Sequence, residues 1–217
     1  MWFDNYDICC INLEEDLERK NSMIEKFANF QIKSNFISAN RPDSQWKSTN
    51  YQYTGEFGVT LSQLKCLINY VDTSKDGVVI FEDDATFSED MNDRVNQAIS
   101  ELPDDYDILY LGGAPREKLK YYSKNLCIVG DFTQAVGYIV NKKSIKDLCM
   151  YFTDRMGRLF PDACCDNIIN DFIKVNGKKG YTIYPFVVEQ ENGWSTLRQG
   201  IREYKDMIRD EWEKFKP

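Results

Sequence analysis

Residues 77–87 read GVVIFEDDATF. Val78, Val79, Ile80 and Phe81 form an apolar run too short for a helix and without a polar face. Such a run predicts a strand buried on both sides. It stops abruptly at Glu82, Asp83 and Asp84. In an open α/β sheet, ligands bind at the C-terminal ends of the strands. Three carboxylates gathered there repel one another and lose hydration unless a cation or other donors compensate. A divalent metal would do so, and would neutralise the charge on a departing nucleotide diphosphate. The competing reading is a solvated turn that caps the next helix.

The flanking segments supply the rest of an α/β domain. Residues 6–13, YDICCINL, predict a buried strand, and residues 15–30 a helix with Leu17, Met23, Ile24, Phe27 and Phe30 at near-helical spacing. Residues 34–40, SNFISAN, predict a second strand, and this β–α–β order starts a parallel sheet. Residues 41–54 read as a loop and 55–71 as a helix with Leu61, Leu64, Ile68 and Val71 on one face. A helix is expected over 88–102, with Ser88 as its N-terminal signal, followed by a strand at 106–113 closed by two glycines. Further strands are expected at 132–141 and from 179 to Pro185, and helices at 142–152, 162–175 and 200–215. With no repeat or linker, the chain reads as a single α/β domain over residues 1–217 with a mixed, mostly parallel central sheet flanked by helices.

Composition narrows the chemistry. In 217 residues, 42% hydrophobic and 14% aromatic content suffices for a core. A net charge of -8 argues against a nucleic-acid surface. No apolar run approaches the roughly 18 residues of a membrane span. The acidic N-terminal stretch lacks the pattern of a signal peptide, so a soluble, cytoplasmic protein is expected. The seven cysteines, in an odd count with two adjacent pairs, make a poor disulfide framework and read as small hydrophobes. The chain contains no histidine. Acid–base work then falls to carboxylates, Lys, Tyr or Cys, and a metal site would be built of oxygen, which favours Mg²⁺ or Mn²⁺.

Two further segments carry candidate chemistry. In GEFGVTLSQLKCL (55–67), Gly55 and Gly58 suggest close backbone approach before a helix whose amides could face a phosphate. Lys65 would pair with a diphosphate if it points toward the acidic strand end. In PDACCDNIIN (161–170), Asp162 and Asp166 stand four apart and share a helix face if the segment is helical. One reads as an N-terminal cap, the other as a general base.

The ordered succession INLEEDLERK, GEFGVTLSQLKCL, VIFEDDATF, YDILYLGG, QAVGYIV and YPFVVEQENGWS covers most of residues 6–196. It resembles the lipooligosaccharide and procollagen galactosyltransferase family and its relatives in large DNA viruses. The family pattern has a His where this chain has Gln63. The resemblance implies a GT-A-type fold, a nucleoside-diphosphate sugar donor, most simply a UDP-sugar, and Mn²⁺ or Mg²⁺. It implies transfer to a hydroxyl of a glycan or glycoprotein acceptor. Glu82, Asp83 and Asp84 would be the DxD-like motif, with Asp84 the direct metal ligand and Glu82 beside it. Asn12, Leu13, Arg19, Ala39 and Asn40 would lie near the nucleotide. Asp166 fits the family's late aspartate, with Asp162 in reserve, as base for an inverting displacement. The nucleotide-binding half would span about 1–113 and the acceptor side about 114–217.

Two other readings were weighed. EDDAT superficially matches the D-x-D-x-T of haloacid-dehalogenase-type phosphatases at Glu82, Asp84 and Thr86, but that class needs an early Asp nucleophile where this chain has Glu82. A non-catalytic nucleotide-sugar-binding module would keep the fold without the activity.

Overall fold

A computed structural model of the chain describes residues 1–41, 51–159, 164–195 and 200–217. After a 3-10 turn at Trp2–Asn5, β1 (Tyr6–Asn12), α1 (Leu17–Asn29) and β2 (Asn35–Ser38) form the expected opening unit. Then follow α2 (Tyr51–Asn69), β3 (Gly77–Glu82), β4 (Ala85–Phe87), α3 (Met91–Glu101) and β5 (Ile108–Pro115). The hairpin β6 (Lys120–Tyr121) and β7 (Leu126–Ile128) leads to β8 (Phe132–Asn141), α4 (Lys142–Leu159) and α5 (Cys165–Val175). The chain closes with β9 (Gly180–Ile183), β10 (Val188–Gln190), β11 (Gly193–Ser195), β12 (Gly200–Arg202) and α6 (Tyr204–Phe215).

The main sheet has eight strands in the order β2-β1-β3-β8-β5-β9-β7-β6. All run in one direction except β8 and β7, which pair antiparallel to their neighbours. The domain is therefore α/β, with a mixed, mostly parallel sheet flanked by helices. Because strand side chains alternate between faces, β3 serves two cores. Val78 and Ile80 pack on the side of α2, α4 and α5 with Leu67, Phe152 and Phe172. Val79 and Phe81 pack on the side of α1 and α3 with Met23, Phe27 and Val95. All seven cysteines are free thiols, and Cys9, Cys10, Cys66, Cys127 and Cys165 are buried, as expected of small apolar side chains.

Two local expectations are corrected. α2 already includes Tyr51, so Gly55 and Gly58 lie inside the helix rather than before it. The Gly58 carbonyl accepts the Ser62 hydroxyl at 2.7 Å, and the segment offers no helix start at those glycines to a phosphate. The N-cap of α3 is Asp90, not Ser88. Ser88 instead donates its backbone N–H to Val187 O, which carries the chain from β4 alongside the entry to β10. Among the described residues no helix is long and apolar enough to cross a membrane.

The two glycines closing β5 have distinct steric roles. A Cβ on Gly112 would stand 1.9 Å from Val188 O, so only glycine lets β10 lie against β5. Gly113, at φ +136°, would meet Gln134 O at 2.7 Å. Both close approaches draw later chain over the C-terminal end of the sheet.

Candidate active site

The acidic motif occupies the end of β3 and the turn into β4. Alternation along β3 separates its side chains. Glu82 falls on the face of Val78 and Ile80, where α5 packs, and Asp83 falls toward α1. The electrostatics follow this division. Burial pushes the Glu82 carboxyl well up, with Asp84, Asp166 and Asp83 adding to it in that order. Asp166 thus belongs to the same acidic locality as the β3 terminus. The Glu82 carboxylate has no hydrogen bond or ion pair to any described residue, while its backbone pairs with β1.

Asp83 is enclosed by donors. Asn12 Nδ2, at the end of β1, donates to its Oδ2 at 2.8 Å, and Arg19 Nη1, on α1, to its Oδ1 at 2.9 Å. Arg19 also lies 3.6 Å from Asp84 Oδ2. Part of the compensation assigned to a metal from the sequence is therefore a guanidinium. The backbone of Arg19 is fixed in turn by the α1 cap, where its N–H donates to Asp16 Oδ1 at 3.3 Å.

Asp84 is held differently. Gln190 Nε2 donates to its Oδ2 at 3.0 Å, and Glu191 N–H to its carbonyl at 2.8 Å. Gln190 closes β10 and Glu191 follows it; β10 pairs antiparallel with β4 in the register Gln190↔Ala85 and Glu189↔Thr86. Asp84 Oδ1 is buried without any partner. Burial raises the Asp84 carboxyl to about 6, against the hydrogen bond from Gln190 and with added repulsion from Asp83. An orphaned carboxylate oxygen and the unpartnered Glu82 are hard oxygen donors that suit Mg²⁺ or Mn²⁺ rather than a thiophilic ion. Among the described residues, no three acidic or thiol side chains converge as a preformed ion cage.

The other expected donor-site residues surround the ends of β1 and β2. Ala39 N–H donates to Asn12 O at 2.8 Å, and Asn40 N–H to Ser62 Oγ at 2.8 Å. Leu13 O accepts the Asp16 N–H at 2.9 Å in the turn into α1. Lys65 Nζ donates to Ser38 O at 3.0 Å, so it caps the end of β2 rather than reaching the acids. Gln63 is buried and accepts from the Tyr138 hydroxyl at 2.7 Å, an internal link between α2 and β8.

Asp166 lies in the first turn of α5. Its Oδ2 accepts from Thr133 Oγ1 at 3.0 Å and Gln134 N–H at 2.8 Å, and its Oδ1 from Ala135 N–H at 3.5 Å. The start of β8 thus faces this carboxylate with three donors. Asp162 lies outside the described residues. Glu189 on β10 is occupied by Lys205 at 2.9 Å and Arg209 at 2.7 Å from α6. Glu191 pairs with Lys26 at 3.1 Å.

Three features of the site escaped the sequence reading. They are Gln190 on Asp84, the clasp of Arg19 on Asp83, and Thr133–Ala135 on Asp166. The only signal available was the motif VVEQENG following a strand, whose polar side chains carried no spacing that pointed to residue 84.

Parallel strands that end in an acidic cluster, with a reversed strand entering beside them, place the chain among α/β enzymes that bind ligands at strand ends. The model of the family described as Glycosyltransferase family 25 (LPS biosynthesis protein) matches residues 6–165, and the chain belongs to this family. This membership agrees with the resemblance seen in its motifs. No curated protein matches the chain. Among solved structures it is similar to the apo form of the glycosyltransferase GlyE of Streptococcus pneumoniae, with TM-score 0.49 and 13% identity. That match covers 81% of this chain and 45% of GlyE, so the chain spans less than half of that protein. It is also similar to mannose-1-phosphate geranyltransferase of Thermus thermophilus, with TM-score 0.48, 10% identity and coverage of 82% and 73%. A glycosyltransferase involved in glycosylation of the major capsid of PBCV-1 matches with TM-score 0.42, 10% identity and coverage of 69% and 66%.

Proposed function

We propose that this enzyme transfers a sugar from a nucleoside-diphosphate sugar, most simply a UDP-sugar, to a hydroxyl of a glycan or glycoprotein acceptor, with inversion and with Mn²⁺ or Mg²⁺ as cofactor. The observation that carries this reading is the buried, unpartnered Asp84 Oδ1 at the C-terminal end of β3, within an acidic group that Asp166 joins from α5.

Asp84, with Glu82 beside it, would hold the ion. Ions of this class are held by one or two carboxylates together with substrate phosphates. When bound, the ion supplies positive charge that stabilises the leaving nucleotide. Asn12 and Arg19 occupy both oxygens of Asp83, whereas Asp84 Oδ1 has no partner. Leu13, Ala39, Asn40 and Lys65, at the ends of β1 and β2 and in α2, would border the nucleotide. Asp166 would accept the acceptor hydroxyl's proton as that oxygen attacks the sugar's anomeric carbon. A positioned base of this kind contributes roughly 10²–10⁴-fold in rate.

Calorimetry of UDP with and without Mn²⁺ tests the donor side, with Asp84→Ala as control. Metal-dependent UDP binding by the wild type and its loss in the variant are expected. Full Mn²⁺-dependent affinity in Asp84→Ala would reject the ligand assignment.

A further inference from the structure

The turn at Gln134 has two features that the reading above leaves unused. Its backbone lies at φ +53°, a left-handed conformation that favours glycine. Its side-chain Oε1 is buried without a hydrogen-bond donor. A strained residue with an orphaned buried acceptor makes no internal use of its side-chain carbonyl, and such sites call for a ligand.

The turn is pinned in place by its backbone. Gln134 N–H donates to Asp166 Oδ2 at 2.8 Å, and Thr133 Oγ1 donates to the same oxygen at 3.0 Å. On the other side Gly113 packs so closely that a Cβ there would meet Gln134 O at 2.7 Å. Because β8 runs against β3 in the register Phe81↔Gly137, its first residues project past the end of β3, where Glu82 and Asp84 lie. By this register Gln134 comes level with the turn after β3, and its backbone holds the carboxylate assigned as base. The group that must lie between the metal-bound diphosphate and that base during transfer is the donor's sugar ring.

Resting on the donor site proposed above, we propose that Gln134 Oε1 accepts a hydroxyl of the sugar carried by the donor, and that this residue selects and orients that sugar. The chemistry required of the ligand is an O–H donor. Asp84 Oδ1, the other buried and unpartnered carboxyl or carboxamide oxygen among the described residues, would face the ion instead.

The test is calorimetry with Mn²⁺ and, in turn, UDP, UDP-glucose, UDP-galactose and UDP-N-acetylglucosamine. The proteins are the wild type, Gln134→Met, which keeps the length but removes the acceptor, and Gln134→Gly, which suits φ +53° and guards against misfolding. The wild type is expected to bind at least one UDP-sugar more tightly than UDP. Both variants should bind UDP as the wild type does and lose about tenfold in affinity for that UDP-sugar, the value of one buried hydrogen bond. Gln134→Gly should melt no lower than the wild type. Retention of the UDP-sugar preference in both variants overturns the proposal. So does an equal loss for UDP and UDP-sugar, which would mark a merely structural residue, or a wild type that binds UDP but gains nothing from the sugar. A wild type that binds neither UDP nor any UDP-sugar overturns the donor reading itself, and this proposal with it.

Discussion

Gln190 Nε2 donates to Asp84 Oδ2 at 3.0 Å across 106 residues of sequence. This bond fixes which carboxylate oxygen is satisfied by the protein and which stays open. It also ties the acid at the end of β3 to β10, a strand held from outside by Lys205 and Arg209 on Glu189.

Gln190→Met removes that donor with little change in volume. The Asp84 carboxylate then loses the bond that favours its charged form. Mn²⁺-dependent UDP affinity should fall about tenfold at neutral pH, the effect of a hydrogen bond to a charged group. Circular dichroism should be unchanged, and an unaltered affinity would remove Gln190 from the site.

The raised Asp84 carboxyl makes a signed prediction for metal-free protein. Below its ordinary value of 3.8, folded and unfolded chains both hold the proton and Asp84 has no effect. Between there and about 6 the folded chain keeps a proton that the unfolded chain releases, so stability falls as pH rises. Above about 6 the penalty is constant, on the order of 3 kcal/mol. In chelator, Asp84→Asn should therefore melt several degrees higher than wild type at pH 7.5 and equally at pH 3.5. A gain of equal size at both pH values would show that ionisation is not its source.

Arg19→Met leaves Asp83 and Asp84 without their guanidinium. Removing one partner from a partly buried charge cluster should cost about 1–3 kcal/mol in the metal-free protein. Added Mn²⁺ should raise the melting temperature of the variant more than that of the wild type, since a second cation can replace the first. Equal shifts in the two proteins would separate Arg19 from the metal-binding acids.

Asp166→Asn distinguishes two uses of one carboxylate. As a base, Asp166 should be needed for transfer but not for donor binding, with transfer down at least about 10²-fold. As a clasp for Thr133–Ala135 alone, it should instead lower the melting temperature while transfer per folded molecule stays near wild type. Single-turnover transfer measured beside thermal melts separates the two.

Gly112→Ala should be disruptive although it adds a single methyl group. Its Cβ would stand 1.9 Å from a backbone oxygen of Val188, so the strands must part. Overpacking of this kind costs about 1–3 kcal/mol. It should also weaken Mn²⁺-dependent UDP binding, because displacing β10 moves Gln190 from Asp84.

The strands most plainly legible in the sequence were those whose side chains are buried on both faces, although β2, with no buried residue, was read as well. β1, β3, β5 and β8 are near-continuous apolar runs, and their signal needs no partner to be recognised. β4 and β10 were not legible, because each has three residues and is defined only by pairing with the other about 100 positions away. The end of α3 was read correctly, but its start was misplaced because Ser88 and Asp90 are equally good caps by type and the tertiary bond of Ser88 N–H to Val187 decided between them. The acids of the site were visible as a charge cluster at a strand end. Their division of labour was not, since it depends on which face of β3 each side chain takes and on donors from α1, β8 and β10.

The placement of β8 between β3 and β5 has a consequence for the order in which the molecule can mature. On a chain made from its N-terminus, Glu82 and Asp84 are synthesised long before residues 132–141 can fill the inner edge of β3. Gln190 follows later still. The early segment emerges with an open sheet edge and an unsupported acidic turn, and strands from both sides of residue 113 share one sheet. The acidic turn gains its last partner only when the final quarter of the chain folds back onto the first half.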